Sequence, residues 1–235
     1  MSSSRCAVIA AALLGSVAAA GATTLQLAAV GDTFVNSEDP TINFGASSFA
    51  EVGVLGPPKF DVERALLSFD LSSVPDGAPI ARVVLRFLVS DAAPDPPNFS
   101  ATVLRLASGF DENTVTWDTQ PASLPVPAAT AVVDAPIGSL MEIDVTGLVR
   151  AQRAAAAPEA LWLVIAKTDE SPVASDTFFD LATKEADPPR PAVLVVELLN
   201  PAPAVSGGLL PLVLVVLAAT GALALRRRAA RSPAP

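Results

Sequence analysis

Asp32, Asn36, Glu38 and Asp39 place four oxygen-bearing side chains within eight positions of one another. Carboxylate and amide oxygens are what a hard cation such as Ca2+ takes, about six to eight at a time. The spacing matches no EF-hand loop, so the segment reads either as part of a Ca2+ site or as a solvated acidic turn. Arg82, Arg86 and Arg105 are a second set, whose guanidinium groups would recognise acidic oxygens. Trp117, just before a Pro-containing stretch, offers either a π face for a sugar ring or a hydrophobic body packed beneath a loop.

Much other chemistry is excluded. The chain has no His, so it holds no Ser-His-Asp or Cys-His unit and no His-ligated zinc. A single Cys rules out an intrachain disulfide and a CxxC knuckle. Twenty-four acidic residues make a glycosidase-like carboxylate pair arithmetically possible, but no two stand out as partners, and the chain reads as non-catalytic.

The elements that must position these residues are short strands. Apolar and β-branched runs recur at Leu25–Ala28, Phe49–Leu55, Arg64–Phe69, Ile80–Val89, Ala101–Ala107, Ala129–Val133, Leu140–Asp144, Leu161–Lys167, Asp176–Phe179 and Ala192–Leu198. Breakers such as Gly56-Pro57-Pro58, Pro75-Asp76-Gly77 and Asp187-Pro188-Pro189 separate them. This punctuation predicts an all-β fold, an antiparallel, jelly-roll-like β-sandwich with one short helix. The helix is expected at Val145–Ala157, with Asp144 as its cap and Pro158 ending it.

Alternation assigns faces. Val83, Leu85, Phe87 and Val89 share the side that belongs in the core, which turns Arg82 and Arg86 outward. Arg105 lies opposite Leu104 and Leu106 in the next run, so a hairpin between the two strands would gather three arginines into one basic patch. The alternative is three separate solvated charges. Arg64 opens a run of core residues, where a half-buried guanidinium paired with a carboxylate would serve structure, and Trp162 reads as core.

Several segments, in order, carry a resemblance. They are Asp32-Thr33-Phe34-Val35, Asn43-Phe44-Gly45, Arg64-Ala65-Leu66-Leu67-Ser68-Phe69-Asp70, Ala81-Arg82-Val83-Val84-Leu85-Arg86-Phe87, Glu112-Asn113-Thr114-Val115-Thr116-Trp117, Asp144-Val145-Thr146, Lys184-Glu185 and Arg190-Pro191. Together they resemble the DNRLRE domain family, also classed as carbohydrate-binding module family 96. The resemblance implies an exported β-sandwich, often attached to polysaccharide-degrading enzymes or cell-wall proteins. Some members are similar to modules for alginate-like or other uronic-acid glycans. The family usually has Tyr where this chain has Phe34 and Phe44.

The two ends read as addresses. Residues 1–22 resemble a secretory signal peptide, with Arg5 ahead of an Ala-rich apolar stretch. After a 23–199 domain, residues 200–208 form a Pro/Gly linker ending in Ser206-Gly207-Gly208. Residues 209–225 are an apolar segment long enough for roughly 25 Å of helix, expected to be transmembrane, and 226–235 are a basic cytoplasmic tail. This layout resembles a GlyGly-type sorting tail read by a rhomboid-like protease. A plain membrane anchor is the alternative.

Apart from the basic residues of the two ends, ten basic residues stand against 24 acidic ones, a net charge of −14 that repels nucleic acid. The expected function is display outside the cell and binding of an extracellular polysaccharide, possible Ca2+ included. The alternative is a structural surface protein with no ligand.

Overall fold

The computed structural model describes residues 22–199. Positions 1–21 of the expected 1–22 signal peptide, and the linker, apolar segment and basic tail of 200–235, lie outside the described residues. Among the described residues, no helix is long and apolar enough to cross a membrane.

The described chain forms β1 (Ala22–Ala28), β2 (Gly31–Asn36), β3 (Phe49–Val54), β4 (Val62–Asp70), β5 (Ile80–Ala93), β6 (Phe99–Leu106), β7 (Ser123–Val133), β8 (Leu140–Asp144), α1 (Thr146–Arg153), β9 (Ala160–Lys167), β10 (Thr177–Ala182) and β11 (Val193–Leu199). All strand pairs are antiparallel, and the path runs β1-β11-β5-β10-β3-β4-β9-β6-β7, with β2 on β4 and β8 on β5. The long β5 joins two ladders. Its first part pairs with β11 and β8, and its end pairs with β10. The arrangement is all-β with one short helix and is consistent with a β-sandwich.

Alternation builds the core. Val83, Leu85, Phe87 and Val89 enter one apolar cluster with Ala65, Leu67 and Phe69 of β4 and Leu161, Leu163 and Ile165 of β9. Phe87 stacks on Phe179 of β10 at 5.6 Å between ring centroids. Burying each such ring contributes about 2–3 kcal/mol.

The intervening residues of β4 and β9 point the other way. Leu66 and Val164, with Val35, Leu106 and Val115, form a second, smaller cluster, and Leu104, Phe110, Trp117 and Trp162 pack against it. The 107–122 loop thus folds back over the face of the β6-β9-β4 ladder that the main core leaves free. Trp162, expected in the core, belongs to this second cluster and stays partly exposed, because it alternates with Leu161 and Leu163.

Three expectations need correction. The segment expected as a turn around Asp32 to Asp39 begins instead as strand β2, all six of whose residues are buried. Its polar side chains find partners within the protein, which a hydrophobic pattern does not reveal. The helix stops at Arg153 rather than Ala157. Pro158 disfavours helical backbone just ahead of it, and Gln152 Nε2 instead donates to Ala157 O at 2.7 Å. The N-cap residue is Val145, which brings no side-chain cap, and Asp144 lies one position ahead of it, accepting from Thr146 N at 3.0 Å and from Thr146 Oγ1 at 2.6 Å. Finally, β5 and β6 form no ladder with each other, since β6 pairs with β7 and β9.

Candidate functional site

The face covered by the 107–122 loop holds a groove of about 630 Å3. Its apolar floor comes from Leu104 and Leu106 of β6 and Val164 and Ala166 of β9. One wall is the loop segment from Trp117 to Ser123, and the opposite rim carries Lys167, Thr168 and Glu170.

Arg64 of β4 joins the two sides. Its Nε and Nη2 donate to Glu170 Oε1 and Oε2 at 2.7 and 2.6 Å, a two-pronged guanidinium–carboxylate pair. Its guanidinium carbon also lies 4.6 Å from the centroid of the Trp117 ring, a cation–π contact. Gln120 Nε2 donates to Trp117 O at 3.0 Å and so fixes the loop behind the ring. At the far end Thr102 and Thr168 share a hydroxyl–hydroxyl bond of 2.7 Å, and Lys167 Nζ donates to Asp169 O at 2.7 Å. An apolar floor bordered by a ring edge, two cations, an amide and hydroxyls presents the donors and acceptors a polyhydroxylated ligand needs.

The sequence profile of carbohydrate-binding module family 96 matches residues 23–196. The chain belongs to that family. No curated protein matches the chain.

Within this family 96 fold, the expected site residues take separate places. Trp117 lines the groove. The three arginines of the expected patch do not gather, because their strands are not neighbours. Arg86 pairs with Glu142 directly across the β5-β8 ladder at 2.6 Å, and Arg82 reaches Asp144 at 3.5 Å. Arg105 turns toward the helix and donates to Gln152 Oε1 at 3.1 Å. Arg64 does pair with a carboxylate, as expected, and the partner is Glu170, 106 positions away. Glu170, Lys167 and Thr168 carried no sequence signal beyond being polar. They are brought together by β9 lying between β4 and β6.

The four expected cation ligands are likewise spread. Asp32 is fully buried near Glu112 and Glu185. Asn36, at the other end of β2, donates to Asp61 Oδ2 at 2.5 Å and to Glu63 Oε1 at 2.9 Å. Its own Oδ1 accepts from the backbone of Glu38 and Asp39, both 2.9 Å away, and those two side chains are exposed.

Beside Asn36 lies a row of acids that runs from buried Glu63 and Asp180 through half-buried Glu51 to exposed Asp91. Asp180 on β10 faces Glu51 of β3 on one side and Asp91 of β5 on the other. Burial, then the Asp91 and Glu63 charges, push the Asp180 carboxyl up to about 7. Burial and then the shared hydrogen bond with Glu63 push Glu51 up to about 10, and burial raises Glu63 as well.

Proposed function

We propose that this family 96 domain is a non-catalytic module that holds an acidic, uronic-acid-containing polysaccharide in the groove, displayed outside the cell. The observation that carries the reading is the Arg64–Trp117–Glu170 unit set over an apolar floor, with Lys167 on the rim. Two cations against one carboxylate make the groove locally basic on a domain whose overall charge is strongly negative. Sugar carboxylates fit that sign, while phosphate backbones would meet the acidic surface around it.

Among the described residues, Glu170 is the one carboxylate that lines the groove; it is engaged by Arg64, and hydrolysis of a glycosidic bond ordinarily takes two. That supports binding without catalysis. Export, a C-terminal membrane anchor and cleavage by a sorting protease complete the proposal and rest on the sequence of the two ends.

The test is affinity electrophoresis of the full chain through gels containing neutral or uronic polysaccharides. The wild type should be retarded by a uronic polymer, and Lys167→Ser with Thr168→Ala should abolish retardation at unchanged Tm. Arg82→Ser with Arg86→Ser should leave it intact, since both are occupied far from the groove's strands. Loss of retardation in that second variant would move the contact surface to β5. No retardation of folded wild type by any polymer would overturn binding in favour of a structural coat.

A further inference from the structure

Outside the groove, three carboxylates converge from distant parts of the chain. Asp32 comes from β2, Glu112 from the 107–122 loop and Glu185 from the turn after β10. One oxygen from each lies within 4.8 Å of the others. Calcium binds oxygens at about 2.4 Å, so ligands on opposite sides of one ion are at most about 4.8 Å apart. The three carboxylates are therefore already at single-ion spacing.

The convergence is built into the backbone. Asn43 Nδ2 donates to Glu112 O and Val115 O, both at 2.7 Å, and holds the loop against the turn at Gly45. A Cβ on Gly45 would stand 2.1 Å from Glu112 O, so only glycine permits this approach. Glu112 Oε2 accepts from Asp32 N at 3.0 Å, and Asp32 Oδ2 accepts from Lys184 N at 3.0 Å.

Two buried oxygens remain without a donor from elsewhere in the described residues. Asp32 is fully buried, and neither its Oδ1 nor the buried Glu185 Oε2 receives a bond from an amide, hydroxyl or cationic donor; the two carboxyl groups instead lie against each other. An unpartnered buried carboxylate oxygen is costly, and here it is aimed among other carboxylates. Among the described residues, the cation paired with them is the Lys184 ammonium, which bonds Glu112 Oε1 at 2.7 Å and also Glu185 Oε1. With all three ionised, the carboxylates exceed that ammonium by two negative charges.

We infer that Asp32, Glu112 and Glu185 form a Ca2+ site, with Lys184 as a tethered cation that withdraws when the ion enters. The Lys184 side chain is 27% exposed, so it has a route outward. A crevice of about 340 Å3 bordered by Gly31, Ser68, Asp111 and Glu112 gives water access to the Glu112 side, which completes a coordination shell of six or more oxygens.

The experiment is calorimetric titration of Ca2+ into EDTA-treated, desalted full chain, with Tm followed in parallel. Wild type should bind one ion with a dissociation constant of about 10⁻³ M or tighter and gain Tm saturably. Glu185→Gln, nearly isosteric, should lose both responses while remaining folded. Lys184→Met should bind at least about tenfold more tightly, because the competing charge is gone. Neither heat nor a Tm change in wild type would overturn the site. An unchanged response in Glu185→Gln would place the ion elsewhere, and an equal response to Mg2+ would overturn the choice of calcium. A Lys184→Met affinity equal to wild type would refute the displacement of the lysine.

Discussion

Asp180→Asn removes one negative charge from the acid row of β3, β4, β5 and β10 while keeping the side chain's shape. The Asp180 carboxyl rises from 3.8 to about 7, chiefly through burial and then through the facing Asp91. A shift of about three units corresponds to roughly 4 kcal/mol at about 1.4 kcal/mol per unit, an upper bound on what ionising this group costs the fold. The sign follows from proton counts. Between pH 4 and 7 the folded protein holds this proton and the unfolded chain does not. The stabilisation is therefore complete below about pH 4 and is lost as pH rises through 7. Thermal unfolding in EDTA, followed by circular dichroism from pH 4 to 9, measures it. For a domain of this size, about 2–4 °C accompanies each kcal/mol. Wild type should thus lose up to about 15 °C of Tm across that window from this group. The Asn variant should decline less and should exceed wild type at pH 8. It should retain some slope, because burial also raises Asp32 and Glu51. An Asn variant less stable than wild type at pH 8 would refute the argument and show that the carboxylate has a compensating partner.

Two further substitutions follow from the same structure. Gly45→Ala forces a Cβ against the Glu112 carbonyl at 2.1 Å and should cost about 3 kcal/mol, read as a lower urea midpoint at unchanged m-value. Arg64→Lys keeps the charge but loses the two-pronged contact to Glu170 and the stacking on Trp117. It should weaken polysaccharide retardation several-fold while lowering stability by only about 1 kcal/mol, a split that separates a groove role from a packing role.

Local periodicity made much of the architecture legible. The two-residue alternation of Val83, Leu85 and Phe87 announces a core-facing strand edge, and it correctly turned Arg82 and Arg86 outward. Asp144 marked the neighbourhood of the helix start, although the N-cap itself is Val145 and Asp144 bonds the first helical amide from one position earlier. Trp117 could be singled out from its type and its place before a Pro-containing loop. β2 escaped because Asp32, Thr33 and Asn36 look like turn residues. Their burial depends on Lys184, Asp61 and Glu63, which sequence does not place nearby.

The same distinction separates the two sites. Strand content, face assignment and the overall acidity depend on residues within a few positions of one another, and those can be read along the chain. Which strands become neighbours depends on burial of apolar faces across the whole domain. That choice set β6 beside β9 instead of β5, dispersing Arg82, Arg86 and Arg105. It also joined Arg64 to Glu170 across 106 positions and Lys184 to Glu112 across 72. Contacts over such separations carry no local pattern, because a partner's side-chain chemistry is the same whether or not the fold brings it near.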